Sequence, residues 1–187
     1  MQKQCNINVE WRPFSLAMKN KEMDSTDTNN PYVVAHQAGH RIHRLIEAAV
    51  AGGADRSELY KAFGAAHFVE GKPYNDEVIA AVVEDLGLSA QLMSELDNTD
   101  HDTALAASLS EATDVAGNDI GVPLIVFVAE DGSKTGFFGP VITALPSEQE
   151  GLDLWDGLSK LASNKSFYEL KRSRNVGPDV GSTLPAL

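Results

Sequence analysis

Apolar positions between about residues 33 and 51 recur at helical spacing, as Val34, Ile42, Leu45, Ile46 and Ala49, and Gly52-Gly53 ends the run. Asp55 with Glu58 has the form of a capping box, which predicts a second helix through Leu59, Phe63 and Phe68. Asn75 caps a third, carrying Val78, Ile79, Val82, Val83 and Leu86, with Gly87 at its end. Ser89 begins a short helix, and Thr99 with Asp102 opens another that runs through Leu105 and Leu109 to Gly117. This all-helical stretch, 32–117, is too long for a simple crossover between two strands. It reads as an insertion.

The flanks follow a different period. Ile7, Val9 and Trp11 alternate with Asn8, Glu10 and Arg12, which predicts a half-buried strand over 6–12 closed by Pro13. Residues 19–31 are polar and rich in turn formers, so they form a loop. PLIVFV at 123–128 is a continuous apolar run of strand length, the pattern of a strand buried on both faces. Asp131-Gly132 predicts a hairpin turn, with Lys134 to Phe138 returning antiparallel. Ser147 and Glu150 form a second capping box, before a helix with Leu154, Trp155, Leu158 and Leu161 on one stripe. A last short helix is expected at about 166–173, and the tail after it is loose.

Composition narrows the function. A length of 187 residues suits one domain enlarged by an inserted lobe. The net charge of −12 disfavours a phosphate-binding surface, and the basic run ELKRSR at 169–174 suits a helix end. Nucleic acid is therefore not the expected partner. No apolar run is long enough to cross a bilayer and MQKQCNINVE has no apolar signal core, which points away from the membrane and to the cytoplasm. The single cysteine, Cys5, permits no internal disulfide or CxxC pair, and its polar surroundings make it a poor nucleophile.

The order is strand, helical block, strand, hairpin strand, helix. With it go the segments VEWRPFSLA (9–17), the block from Tyr32, AGNDIGVPLIVF (116–127), FFGPVIT (137–143), LWDGL (154–158) and FYELKRSRNVGP (167–178). Together these resemble the actinobacterial branch of DsbA-like proteins, the group that includes mycothiol-dependent nitroreductases. The resemblance implies an α/β, thioredoxin-like fold of DsbA type with a large helical insertion. Residues 1–31 and 118–187 would form the thioredoxin-like part and 32–117 the insertion lobe. Members of that group begin with a strand and a Cys-Pro-x-Cys helix, which have no counterpart here. The expectation is of a chain that is shortened at its front or has its sheet completed by a partner.

The resemblance further implies a thiol-disulfide oxidoreductase using mycothiol or a similar low-molecular-weight thiol as co-substrate, with no covalently bound cofactor. As the chain stands it would be inactive for want of the CxxC pair, and no catalytic residue is assigned; the alternative is a non-catalytic binding module or homodimer. It makes Pro123 a cis-proline, with Gly121 and Val122 lining the same substrate groove. Separately, His36, His40 and His43 fall on one helical face, and HQAGH is similar to the zincin pattern HExxH. Gln37 stands at the base position and takes no proton from metal-bound water, so these three are candidates only for a structural metal, against the plainer reading of solvated surface histidines. Trp11, Phe14, Phe137, Phe138 and Trp155 are expected mainly in the core.

Overall fold

A computed structural model describes Cys5, residues 7–177, Asp179 and Gly181. Its contacts divide the chain into two compact units, one formed by Met1–Glu10 with Glu111–Leu187 and the other by Trp11–Ser110. The division places residues 11–31 with the helices and 111–117 with the hairpin. No helix is long and apolar enough to cross a membrane.

The helical unit begins with a single turn, α1 (Leu16–Lys19), for which the sequence pattern gave no expectation beyond a loop from residue 19. Ser15 caps it by accepting from the Met18 N–H. Helix α2 (Pro31–Ala51) starts where Asn30 accepts from the Tyr32 N–H and Pro31 occupies the first turn, which has no use for its missing donor. Asp55 caps α3 (Arg56–Gly64), which runs on through a π-helical turn, Ala65–Val69. Asn75 caps α4 (Asp76–Asp85) as expected, and the segment after Ser89 is a 3-10 helix, Ala90–Asp97. A second 3-10 turn, Thr99–His101, is capped by Asn98 and leads into α5 (Asp102–Ala116).

Most apolar positions read from the sequence form this unit's core; Val34 and Phe68 are instead exposed. Ile42, Leu45 and Ile46 of α2 pack with Leu59 and Phe63 of α3, Ile79, Val82 and Val83 of α4, and Leu96. Among the described residues no buried side-chain nitrogen or oxygen lacks a hydrogen-bond partner.

The other unit contains β1 (Leu124–Val128) and β2 (Lys134–Phe138), paired antiparallel from Leu124 opposite Phe138 to Val128 opposite Lys134. Its turn follows the expected chemistry. The Gly132 N–H donates to the Ala129 carbonyl at 2.9 Å, and Gly132 takes φ +80°, which glycine adopts without strain. Gly136 has a different purpose: a Cβ there would lie 3.0 Å from the Ala116 Cβ, so its absence lets the end of α5 lie against β2. Helix α6 (Glu148–Ala162) opens with the Ser147/Glu150 capping box complete.

Four expectations are overturned in this unit and its flanks. Described residues 7–12 form no strand, because among the described residues no neighbouring segment offers them a ladder. β1 is not buried on both faces: none of its residues is fully buried, Val128 is 64 % exposed, and one side lacks a strand neighbour among the described residues. Residues 166–173 form no helix, since Tyr168 and Leu170 find nothing to pack on and stay more than four-fifths exposed. Trp11 and Phe138 are exposed rather than core. The tail expected to be loose falls mostly outside the described residues. The architecture is thus mixed α/β, mostly helical, with a two-stranded sheet.

Candidate functional site

The hairpin unit positions Gly121, Val122 and Pro123 at the entrance to β1. The Val122-Pro123 peptide is cis, and so is Gly139-Pro140 at the exit of β2. The two exits are tied together where the Gly139 N–H donates to the Pro123 carbonyl at 2.7 Å. Val122 is 43 % exposed, and among the described residues no backbone hydrogen bond engages it. A Cβ on Gly121 would meet the Phe138 ring at 3.6 Å, so that ring walls the space above Gly121. Val141 and Ile142, just past the second proline, are also exposed. The result is a small apolar surface with open backbone donors and acceptors. It can pair with an extended ligand; it contains no acid, base or nucleophile. Deeper in the same unit, Phe127 stacks on Trp155 and Phe137 packs against Phe167, with centroids 5.6 Å apart in each case.

Cys5 lies half-buried in a turn.

In the helical unit the three histidines each meet a different partner. His36 Nδ1 lies 2.6 Å from Glu22 Oε2. His40 is 3 % exposed, with Nδ1 2.9 Å from Ser15 Oγ and Nε2 3.0 Å from Asp102 Oδ1. The His43 ring faces the Phe14 backbone. Among the described residues no three histidine, cysteine or carboxylate side chains form a group able to hold a metal ion. Surface solvation, the plainer reading, fails too for His40, which burial removes from water.

Sequence reasoning missed Ser15, Arg44 and Asp102, which join His40 in one chain of hydrogen bonds. Arg44 donates from Nε and a terminal nitrogen to the two Asp102 oxygens, both at 2.6 Å. That grip holds the Asp102 carboxyl below its usual range. Burial, helped by the Arg44 charge, pushes the His40 pKa down against the pull of Asp102. Burial also lowers His43, to about 4. Ser15, His40 and Asp102 share the residue types of an acyl-transfer triad, but Ser15 is 1 % exposed and its oxygen already caps α1. No substrate carbonyl reaches it. The sequence separations of 25 and 62 residues along this chain leave no local signal by which it could have been found.

Beside His43, the residues Trp11, Arg12, Pro13, Ile46, Arg56 and Tyr60 complete a shallow pocket. Trp11 stacks on Tyr60 with centroids 5.1 Å apart, and the Arg56 guanidinium grips both oxygens of Glu47.

Comparison with known proteins adds two findings. A family model described as "Rv2466c-like: Mycothiol-dependent nitroreductase Rv2466c" matches residues 1–172. An uncharacterized Mycobacterium tuberculosis protein, Rv2286c, is 28 % identical over 178 residues, covering 92 % of this chain and 72 % of its own length.

Proposed function

The chain belongs to the Rv2466c-like family of mycothiol-dependent nitroreductases, and from that premise we propose that it is a DsbA-type oxidoreductase relative that holds a thiol substrate at Gly121-Val122-Pro123. In this reading β1, β2 and α6 are the second half of a thioredoxin-like fold, and mycothiol or a similar low-molecular-weight thiol is the co-substrate. The supporting observation is the exposed Val122, whose backbone groups make no hydrogen bond among the described residues. An extended ligand laid against it gains main-chain hydrogen bonds as an added strand does. Cys5 is the only thiol in residues 1–187, so these residues contribute substrate holding and not dithiol exchange.

Titration of the isotope-labelled chain with mycothiol, followed by amide NMR, tests this. Shifts are expected at Gly121, Val122, Phe138 and Gly139, and are lost in Gly121→Leu, whose side chain fills the space under the Phe138 ring. Shifts elsewhere, or none, overturn the assignment. Mycothiol-dependent nitroaromatic reduction that persists in Cys5→Ser would overturn the holding role.

A second reading rests on the sheet. β1 carries no charged residue, and its side away from β2 has no strand neighbour among the described residues. We propose for this reading a non-catalytic module that completes its sheet as a homodimer through β1. Light scattering should then give twice the monomer mass, falling to the monomer in Val126→Lys. A monomer at all concentrations discards it.

A further inference from the structure

The histidines of α2 lie along one flank of that helix, and each meets a group of the chain segment just before it, His40 also holding Asp102 of α5. His40 holds Ser15 and His36 holds Glu22, while the His43 ring faces the Phe14 backbone. Between His36 and His40, the Gln37 side-chain amide donates to the carbonyls of Glu22 and Ser25, both at 2.8 Å. Partner numbers rise as helix numbers fall, so the segment is laced antiparallel along α2. It has little structure of its own beyond the single turn α1, yet Ala17 within it is fully buried. Side-chain contacts from α2 secure it, together with Ser108 of α5, whose hydroxyl donates to the Pro13 carbonyl at 2.7 Å.

The protonation states needed for this lacing follow from the geometry. Asp102 is ionised and accepts two bonds from Arg44, so it can only accept from His40. His40 Nε2 consequently carries hydrogen, and neutral His40 accepts at Nδ1 from the Ser15 hydroxyl. Ser15 Oγ in turn accepts from the Met18 N–H at 3.2 Å. A proton added to Nδ1 converts that acceptor into a donor. The Ser15 hydroxyl hydrogen then has no acceptor and, at 1 % exposure, no water. A proton on His43 places charge on a ring facing His40 and Arg56 of α3, with Arg12 lining the same pocket. The opposing carboxylate, Glu47, is already gripped by Arg56.

We propose that this histidine row is a pH-sensitive fastening, which clamps residues 14–25 to α2 while His40 and His43 are neutral and frees the Phe14–Met18 stretch when both rings are protonated, Pro13 staying on Ser108. The Glu22 end stays attached, because the Gln37 amide that holds the Glu22 and Ser25 carbonyls does not titrate.

The direction of the pH effect follows from burial. His40 and His43 have pKa values lowered from 6.5 in the clamped state, His43 to about 4. The released segment leaves the rings in water and binds more protons, so the clamp is intact above about 6.5 and weakens as pH falls toward about 4. From His43 alone, release at about pH 5 is about 30-fold more favourable than at about pH 8.

Hydrogen exchange of the whole chain, compared at about pH 7.5 and about pH 5 after correction for intrinsic rates, tests the fastening. The amides of Lys19, Asn20, Lys21 and Glu22 close the bonds of α1 and its exit. They are expected to lose about 30-fold or more in protection while α4 keeps its own. His43→Gln should remove that share of the response, His40→Gln should shrink it further, and His36→Gln should leave it in place. Should His40→Gln fail to fold, His43→Gln decides alone. Equal protection at both pH values, loss in step with α4, or an unchanged response in His43→Gln overturns the proposal.

Discussion

The same substitution made in the two units should have very different consequences, and the contrast tests where the stability resides. Leu45 of α2 is 0 % exposed at the centre of the helical core, whereas Leu154 of α6 is 47 % exposed. Truncating Leu45 to Ala removes three buried carbons, about 2.4 kcal/mol at about 0.8 kcal/mol per buried methylene. The neighbours Leu59, Ile79 and Val83 sit on two rigid helices, α3 and α4, and cannot all close on the gap, which adds a cavity term. The total is about 3–5 kcal/mol. Leu154→Ala surrenders about half the transfer term and encloses no cavity, so about 1 kcal/mol is expected. Thermal unfolding followed by far-ultraviolet circular dichroism reads the difference. Leu45→Ala should lower the midpoint by about 12 °C or more, and Leu154→Ala by a few degrees at most. Equal losses would mean that the hairpin unit is packed as tightly as the helices, and the open surface at Val122 would lose its physical basis.

Three further outcomes follow from single sites. Asp102→Asn should cost about 2 kcal/mol at neutral pH by depriving Arg44 and His40 of a charged acceptor. Because the folded-state pKa of Asp102 is depressed, its contribution is complete above the unfolded value and fades as pH falls through the folded one, so urea melts of the variant should show a shallower loss in acid. Asn75→Ala should cost about 1 kcal/mol and speed amide exchange at Val78, whose N–H the Asn75 side chain accepts. Excess zinc should leave the melting midpoint unchanged, since His36, His40 and His43 are committed to separate partners; a rise of several degrees would refute that.

The helical unit was largely legible because its signals are local. Asp55 and Asn75, like Ser147 in the hairpin unit, each cap the helix expected of them, and each side-chain oxygen accepts from a backbone donor two or three residues on. The apolar spacing of α2 and α4 needs only the helical period to place Ile46 and Ile79 inward. Strand 6–12 and helix 166–173 failed for a shared reason. A strand needs a neighbour to accept its hydrogen bonds, and a short helix needs a face to bury, so neither is decided by its own residues. Tyr168 and Leu170 have the composition for a buried stripe and no surface to bury it on.

The histidine row shows how a correct spacing yields a wrong chemistry. Positions 36, 40 and 43 do share a helix flank, as their separations require, and a metal would need their nitrogens to converge. Convergence is not a property of spacing. It depends on what lies opposite, and opposite α2 lies an irregular segment with its own unmet groups: the Phe14 backbone, the Ser15 hydroxyl and the carbonyls of Glu22 and Ser25. Each is a separate demand spaced along the helix, and a row of hydrogen-bonding side chains at one-turn intervals meets them one by one. Once Asp102 arrives from 62 residues away to hold His40 Nε2, that ring is lost to any metal. What looked like a ligand set is the means by which a segment with little regular structure is kept on the helix.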